Sequence, residues 1–293
     1  MVPIRPFQRE NWLRYAVYYA SRLLPHPRLR SGVVALMRRW ITLRHGPPSA
    51  PHLAETPLVL KSLRERGVAH LGKAFSPAQI DDILDFLATA PVARPAMAEP
   101  VSASTRGLSS AAYGLATILA CPHLLEVMNH PGLLEIAAGF LGCKPTISGV
   151  GLRWSFASDS PASEVQKFHR DAEDWKILRL FVYLTDVFAD CGPHQFVMGS
   201  HQTTGRLRLR PYSPDDIERR FGSDQVLTIG GPRGTAFVGD MWGIHRGVPP
   251  SGRARLLFSC TYTMTATPIY RYEPVEPTPG RAHDRYINRL LVR

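Results

Sequence analysis

The sequence lacks several features, and each absence narrows the class of protein. It has no run approaching the roughly 18 apolar residues that a membrane-spanning helix needs, and its N-terminus has no apolar segment of the kind found in secretion signals. Its cysteines are few and widely spaced, without a C-x-x-C pair, which is typical of reduced thiols and not of a disulfide scaffold. These cysteines are Cys121, Cys143, Cys191 and Cys260. We therefore expect a cytoplasmic protein.

Acidic residues are nearly missing from the first 50 positions, which hold nine arginines and one glutamate. This segment carries +8 of the net +11 of the whole chain, so the remaining residues are close to neutral. Residues 8–24 and 28–45 place aromatic and aliphatic side chains at helical spacing between the arginines, and a Pro-rich linker follows. We predict that residues 1–52 form a basic amphipathic helical extension and that residues 53–293 form the main domain.

Three roles are open for this extension. It packs on the main domain with its arginines in solvent, it lies at the surface of an anionic membrane through residues 8–45, or it contacts nucleic acid. Its aromatic residues lie among aliphatic ones at helical spacing, which favours an apolar surface over a base-stacking platform. Nucleic acid is therefore the least favoured partner, and the protein is expected in the cytoplasm, either free or peripheral to a membrane.

The main domain changes from helical to strand-like patterns after residue 142. Periodicity predicts helices at residues 58–66, 76–90, 122–129, 132–141 and 215–221. It predicts strands at residues 68–71, 146–156, 165–169, 177–184, 195–197, 235–238 and 256–263. Residues 93–110, rich in Ala, Pro and Ser, are predicted to be a loop, either a plain surface loop or a mobile cover for a site. Short strands separated by turns indicate an antiparallel sandwich or barrel with flanking helices.

The most informative motif is His169-Arg170-Asp171, followed 76 residues later by His245 in a Gly-Asp-containing segment. In an extended segment His169 and Asp171 lie on the same face, so both can bind one metal ion. Two imidazoles and one carboxylate are the facial ligand set of non-heme Fe(II), which leaves three coordination positions open. Arg255 begins a strand-like run ten residues after His245. An arginine there can bind the far carboxylate of 2-oxoglutarate through both oxygens.

The chain resembles the phytanoyl-CoA dioxygenase-like oxygenases over roughly residues 76–263. The resemblance is carried by residues 168–171, by Gly192-Pro193-His194-Gln195-Phe196-Val197-Met198-Gly199-Ser200-His201, and by the Gly239–His245 run with Arg255. Met198 stands where that family's G-x-x-x-x-V-P-G-S-H segment has proline. The resemblance implies a mainly β fold with flanking helices around a jelly-roll (double-stranded β-helix, cupin-like) core. It also implies Fe(II) bound by His169, Asp171 and His245, with Arg255 as the 2-oxoglutarate clamp and His201 as a turn residue.

Asp171 selects the expected reaction, because related halogenases lack this carboxylate. With it present, hydroxylation is expected ahead of desaturation or ring closure. Arg253 is the alternative clamp, since spacing alone does not separate it from Arg255. Family members often place a hydroxyl two residues after the second histidine, and here that position is Gly247, so another group must supply the contact.

Further candidate residues rest on the same resemblance or on strand position. Arg153 and Ser155 precede the motif on a strand where the ectoine hydroxylase branch contacts substrate and cosubstrate. Trp175 occupies a position where that branch places a tryptophan near substrate, and core packing is the alternative. Arg179 is expected to face the barrel interior, where burial requires a partner such as a bound anion. Surface exposure is the alternative for these arginines.

The sequence thus predicts an Fe(II)- and 2-oxoglutarate-dependent dioxygenase. Its expected reaction is hydroxylation of an unactivated C–H bond with O2, releasing succinate and CO2. The substrate is either an anionic, membrane-associated lipid or glycan or a soluble small metabolite. A non-catalytic metal-binding jelly-roll with a membrane-docking N-terminal arm is the alternative from a different class.

Overall fold

The structure, a computed structural model, describes residues 2–3, 11–23, 27–47, 53–93, 108–203, 211–276 and 283–293. Most of the predicted loop at residues 93–110, and both ends of the predicted helix at residues 8–24, lie outside these ranges. The strands are β1 (Val2–Pro3), β2 (Val68–Lys73), β3 (Ser110–Ala112), β4 (Thr146–Ser155), β5 (Ile177–Tyr183), β6 (His194–Val197), β7 (Val226–Ile229), β8 (Thr235–Asp240), β9 (His245–Gly247), β10 (Arg255–Thr263) and β11 (Tyr270–Arg271). The α-helices are α1 (Trp12–Leu23), α2 (Pro27–His45), α3 (Thr56–Arg66), α4 (Pro77–Thr89), α5 (Leu115–Ala120), α6 (Leu124–Met128), α7 (Pro131–Leu141), α8 (Pro214–Phe221) and α9 (Arg285–Asn288).

The larger sheet is antiparallel and has the spatial order β2-β8-β5-β10-β4-β3. Strand β10 lies between β5 and β4, and all of its residues except Ser259 are buried. Its run of aliphatic, aromatic and β-branched side chains fits a strand that is covered on both faces. Arg255, the first residue of β10, pairs with Ser155 at the last residue of β4.

The smaller sheet has the order β7-β6-β9 and faces the larger one. Phe196 of β6 packs against Phe181 of β5 and Phe237 of β8, with ring centroids 6.3 and 6.2 Å away. A β-bridge between His245 and His169 connects the smaller sheet to the segment that holds the H-x-D motif. Two antiparallel sheets packed in this way form a jelly-roll sandwich.

Helices cover the outer face of the larger sheet. Alternate residues of β5 point in opposite directions, so Leu180 and Val182 join the helix-side core while Phe181 and Tyr183 face the smaller sheet. The α4 helix begins with a capping box in which Ser76 and Gln79 satisfy each other's backbone N–H groups. The helix-side core receives buried side chains from several helices, including Leu63, Ile80, Ile83, Leu124 and Leu141.

Helix α2, which lies within the predicted N-terminal extension, packs on the helix-side core. Val34 and Ile41 are buried in the helix-side core, and the Nε of Arg38 donates to the carbonyl of Leu141 at 2.7 Å. The opposite side of the same helix is exposed and largely apolar. Among the described residues, no helix has both the length and the apolar character needed to cross a bilayer.

Most predicted elements are confirmed within a few residues. One predicted strand differs, and several short elements were not predicted, among them β3, β7, β9, β11, α5 and α9. The predicted strand at residues 165–169 contains a short 3-10 turn at Glu164–Gln166, and only Phe168 and His169 form backbone bridges there. Strand β7 follows directly after the polar residues 223–225 and was not predicted. Helix α5 was not predicted, because six residues are too few for a clear helical period.

Candidate metal centre and cosubstrate cavity

The structure brings the three predicted metal ligands together at the end of the smaller sheet. His169 and His245 exchange two backbone hydrogen bonds of 3.0 Å, and the amide of Asp171 donates to the carbonyl of Met241 at 3.0 Å. One ligand atom from each of the three side chains lies within 4.8 Å of the other two. Residues far apart in the sequence are therefore held side by side by the backbone ladder itself.

The ring orientation of both histidines suits metal binding. The Nδ1 of His169 lies 2.7 Å from the carbonyl of Lys167, and the Nδ1 of His245 lies 3.0 Å from the carbonyl of Gly243. Because a carbonyl only accepts, each Nδ1 carries the proton and each Nε2 keeps its lone pair. These Nε2 atoms lie 3.5 and 3.7 Å from the carboxylate oxygens of Asp171.

Electrostatics keep His245 and Asp171 in their ligating forms. Burial, together with the charge of His169, lowers the pKa of His245 to about 4, so its imidazole is neutral at neutral pH. Burial would raise the pKa of Asp171, but the Arg179 guanidinium and both histidines outweigh it and hold that pKa below its ordinary value. Burial would lower the pKa of His169, but the Asp171 carboxylate outweighs it and raises that pKa, so a bound metal ion would displace a proton from this imidazole. Two imidazoles and one carboxylate are a donor set that fits Fe(II).

A cavity of about 790 Å³ lies between the two sheets and contains the three ligands on its wall. Arg153, Arg179, Arg255 and His194 also line it, as does Tyr113. Its volume is in the range of pockets that enclose small organic molecules. The cavity has room for a cosubstrate and a substrate beside the ligand set.

Arg255 is buried on the cavity wall and has no anionic partner in the part of the chain that the structure describes. Its side chain is 1% exposed, and its Nε and Nη1 have no hydrogen-bond partner among the described residues. The Nη2 reaches the hydroxyl of Ser155 only at 3.5 Å. Burial lowers the pKa of Arg255 to about 10, so the guanidinium stays charged at neutral pH. A buried, unpaired cation is costly, and a bound carboxylate would offset that cost.

Arg253, the alternative clamp, points away from the cavity. Its Nε and Nη2 donate to the two carboxylate oxygens of Asp190 at 2.8 and 3.0 Å, in an exposed ion pair. The regular strand begins at Arg255, so residue 253 belongs to the preceding turn. Geometry therefore favours Arg255 over Arg253.

Two other candidates have protein contacts different from those expected. Arg179 needs no bound anion, because its Nη1 donates to Asp171 at 2.8 Å and its Nη2 lies 3.5 Å from Glu173. Trp175 is not part of the cavity wall and packs against the helix-side core, with the Arg30 guanidinium 5.4 Å from its ring centroid. Of the two readings of Trp175, core packing is the one that the structure supports.

The other three candidates lie in different surroundings. Arg153 lines the cavity and has no hydrogen-bond or ion-pair partner among the described residues. Ser155 is buried and adjoins Arg255. His201 lies on the outside, 3.0 Å from the carbonyl of Arg64, and takes no part in the ligand set.

Sequence reasoning missed two residues near the site. His194 lies inside the family-like segment but was given no role, although its neighbour across the ladder is the unusual Gly247. Arg30 of α2 is buried 3.8 Å over the ring of Trp242 and donates to the carbonyl of Asp174 at 3.1 Å. No periodicity distinguishes this one arginine from its eight neighbours in the extension.

Comparison with known proteins gives matches among solved structures only. No protein-family model matches the chain, and no curated protein matches it. The epimerase SnoN in complex with Fe3+, alpha ketoglutarate and nogalamycin RO is similar, with a TM-score of 0.55 and 19% identity over 80% of this chain and 98% of SnoN. EctD from S. alaskensis with bound Fe has a TM-score of 0.53 and 18% identity over 84% of this chain and 88% of EctD.

HygX from Streptomyces hygroscopicus with nickel and 2-oxoglutarate bound has a TM-score of 0.51 and 14% identity over 79% of this chain and 95% of HygX. The chain therefore has the jelly-roll fold of the iron- and 2-oxoglutarate-dependent oxygenases, and the predicted fold class is confirmed. The resemblance seen in the sequence is thus confirmed at the level of the fold. The bound Fe and 2-oxoglutarate of these neighbours agree with the expected cofactors.

Proposed function

We propose that the protein is an Fe(II)- and 2-oxoglutarate-dependent dioxygenase that hydroxylates an unactivated C–H bond of an organic substrate. One oxygen atom of O2 enters the alcohol product, and the other enters succinate as 2-oxoglutarate loses CO2. The observation that carries the proposal is the placement of two complementary groups on one cavity wall. These are three side chains whose ligand atoms lie within 4.8 Å of one another, and the buried guanidinium of Arg255, whose Nε and Nη1 have no hydrogen-bond partner among the described residues.

The residues of the chain have separate tasks in this reaction. His169, Asp171 and His245 would hold iron, which when bound supplies the activation of dioxygen. Arg255 binds the far carboxylate of 2-oxoglutarate and thereby orients its 2-oxo acid end. Arg179 fixes the carboxylate of Asp171. The buried walls of the cavity exclude bulk water from the reacting groups.

Anaerobic loading with Fe(II) and 2-oxoglutarate tests the ligand set. We expect the weak visible absorption of a metal-bound 2-oxo acid in the wild type and none in His169→Ala, whereas the exposed His70→Ala is the matched control and keeps it. Oxygen-dependent release of succinate distinguishes an enzyme from a non-catalytic metal-binding barrel. A wild type that binds Fe(II) and 2-oxoglutarate but releases no succinate across a broad substrate panel would contradict the proposal.

We further propose that the substrate is anionic and is presented at a membrane, as a lipid or a lipid-linked glycan. Arg153 supports the anionic part, since its guanidinium lines the cavity without a protein partner among the described residues. Burial, and then repulsion from Arg179, lowers the pKa of Arg153. The pKa of Arg255 is lowered mainly by burial, and repulsion from Arg153 adds to that effect. A negatively charged substrate group would relieve this repulsion.

The membrane part is supported by the outer face of the N-terminal helices. Positions spaced by seven, four and three residues on α2 form one helical face. These exposed residues are Leu29, Leu36, Trp40 and Leu43. Helix α1 exposes a second apolar group, Trp12, Leu13, Val17 and Tyr19. Arginines border both groups, and such a surface complements an anionic bilayer.

Helix α1 also lies beside the cavity. The Nη2 of Arg14 donates to the carbonyl of Tyr270 at 3.0 Å, and the chain continues directly into residues 272–275, which line the cavity. A membrane surface on the outer face of α1 and α2 would therefore lie near this wall.

Vesicle sedimentation tests this substrate class without relying on activity. We expect the wild type to sediment with phosphatidylglycerol vesicles and the double variant Leu36→Glu/Leu43→Glu to lose at least tenfold in affinity, as about 1.5 kcal/mol per leucine implies. Leu58→Glu on α3 is the matched control, because Leu58 is 70% exposed, against 72% and 77% for Leu36 and Leu43. A wild type that ignores the vesicles, or a double variant that binds as well as Leu58→Glu, would favour a soluble small metabolite.

A further inference from the structure

His194 is a buried histidine on the cavity wall that belongs to neither the metal ligands nor the predicted clamp. It begins strand β6 and is 5% exposed. Its ring packs against Phe181 and Phe237, with centroids 4.8 and 5.5 Å away. Burial and then the charge of Arg255 hold the pKa of His194 well below its ordinary value, so the ring is neutral.

The Nδ1 of His194 lies within hydrogen-bond distance of Tyr183. The Tyr183 hydroxyl lies 3.0 Å from the Nδ1 of His194 and also accepts the backbone N–H of His194 at 3.0 Å. The same hydroxyl lies 2.8 Å from the carbonyl of Ile229. Because Nδ1 is fixed in this way, the opposite nitrogen, Nε2, points towards the cavity.

The position of Gly247 shows where the Nε2 of His194 lies relative to Arg255, the proposed clamp. His194 and Gly247 are partners across the ladder of β6 and β9. A Cβ added at Gly247 would lie 3.1 Å from the Nη2 of Arg255 and 3.6 Å from the Nε2 of His194. The two nitrogen atoms thus flank the same small space, which a side chain at residue 247 would fill.

We propose that His194 is a further binding residue for 2-oxoglutarate, in which Nε2–H donates to the far carboxylate beside the guanidinium of Arg255. This inference rests on the proposed function. Gly247 has no side chain that could donate a hydrogen bond to this carboxylate. His194, on the neighbouring strand, supplies the hydrogen bond from its neutral imidazole. A guanidinium with two unpaired nitrogen atoms and one neutral imidazole together offer a carboxylate donors from two directions.

Tyr183 allows the ring to adopt the required tautomer. When its O–H donates to Ile229, Nδ1 carries the imidazole proton and Nε2 is an acceptor. When the O–H turns to donate to Nδ1, the proton of the neutral ring resides on Nε2, which then donates into the cavity. Both arrangements use distances already present, so no side chain has to move.

Anaerobic calorimetry on the iron-loaded protein tests the role of His194 with two probes. 2-Oxoglutarate has the far carboxylate, and 2-oxobutanoate shares the 2-oxo acid end but lacks it. We expect His194→Leu to weaken 2-oxoglutarate binding about tenfold, the effect of a lost hydrogen bond to a charged group, and to leave 2-oxobutanoate binding unchanged. We expect His194→Gln, which retains a side-chain N–H donor, to bind 2-oxoglutarate within about threefold of the wild type.

The outcomes separate this inference from the function on which it rests. Equal weakening of both probes in His194→Leu would reduce His194 to a packing residue, and unchanged binding of both would remove its role altogether. A wild type that binds neither probe would instead contradict the proposed function. If His194→Leu does not fold, nitrogen NMR of histidine-labelled wild type loaded with zinc decides the question. We expect the His194 tautomer with Nε2–H in the presence of 2-oxoglutarate, and persistence of the Nδ1–H form would overturn the inference.

Discussion

The guanidinium of Arg179 lies 2.8 Å from Asp171, with Nη1 donating to Oδ2. The Nε of the same arginine donates to the hydroxyl of Thr261 on the neighbouring strand at 2.9 Å, which fixes the direction of the side chain. One carboxylate oxygen is thus held by the sheet, while Oδ1, 3.5 Å from the Nε2 of His169, has no contact with the arginine. Arg179 sets the orientation of a proposed metal ligand and also competes with the metal for its charge.

Orientation should outweigh this competition when Arg179 is replaced by Gln. We expect Arg179→Gln to weaken Fe(II) affinity about 10- to 100-fold, the usual effect of losing a hydrogen-bond partner of a metal ligand. Competition with a fluorescent chelator measures it, and the exposed Arg219→Gln serves as the control. Unchanged or tighter metal binding would show that charge competition dominates.

Arg255 and Arg253 should differ sharply when each is replaced by Gln. Since Arg255 is buried in the cavity and Arg253 pairs with Asp190 at the surface, we expect Arg255→Gln to weaken 2-oxoglutarate binding about 100-fold and Arg253→Gln to change it less than about twofold. Anaerobic titration of the visible absorption measures both. Equal losses in the two variants would refute the assignment of the clamp to Arg255.

Arg30 should stabilise the packing of α2 on the main domain. Its stacking over Trp242 and its hydrogen bond to the carbonyl of Asp174 lead us to expect that Arg30→Met lowers the free energy of unfolding by about 2 kcal/mol. The exposed Arg39→Met on the same helix should change it by less than about 0.5 kcal/mol. Urea denaturation of metal-free protein compares the two, and similar midpoints would contradict the contribution of Arg30.

Asp174 should make stability depend on pH in the sense opposite to that of most aspartates. Burial raises its pKa from 3.8 to about 6, despite hydrogen bonds from the amides of Thr265, Trp175 and Met264. The native state therefore holds a proton that the unfolded state has released, and stability falls as the pH rises from about 4 to about 6. The loss is on the order of 3 kcal/mol, from about two pKa units.

Asp174→Asn removes this titration. The quantity to measure is the unfolding free energy of the wild type minus that of the variant. We expect this difference to fall by about 3 kcal/mol between pH 4 and pH 7. Urea denaturation with a chelator present excludes a contribution from bound metal. A constant difference across this range would show that Asp174 is already ionised in the native state at pH 4.

The sequence predicted the parts of the molecule that have a strong local signal. Strand β10 was predicted within one residue, because every position after Arg255 except Ser259 is apolar or β-branched, as in a covered strand. The meeting of His169, Asp171 and His245 could be predicted because the chemistry of one ferrous ion requires it, whatever the connecting loops do. The apolar run directly after Arg255 favoured it as the clamp, but spacing alone could not exclude Arg253, because residues two apart in a strand share a face.

Contacts between distant segments could not be predicted. The sequence indicated that Arg179, an arginine in the barrel interior, needs a partner. It could not identify that partner, which depends on where the loop after His169 returns to the sheet. For His194, the missing side chain at Gly247 was the available signal, and it became informative only when ladder pairing placed the two residues opposite each other. The periodicity of α2 predicted an amphipathic helix. In the structure this helix has two apolar faces, an outer one that is exposed and an inner one that is buried.

The inner face of α2 has a consequence for the thermodynamics of adsorption. Many surface-seeking peptides are unstructured in water and lose backbone entropy as they coil on a lipid surface. Here Val34 and Ile41 hold the helix in its final shape beforehand. Attachment through Leu36 and Leu43 would therefore involve no coil-to-helix transition, and far-ultraviolet circular dichroism should stay the same when vesicles are added.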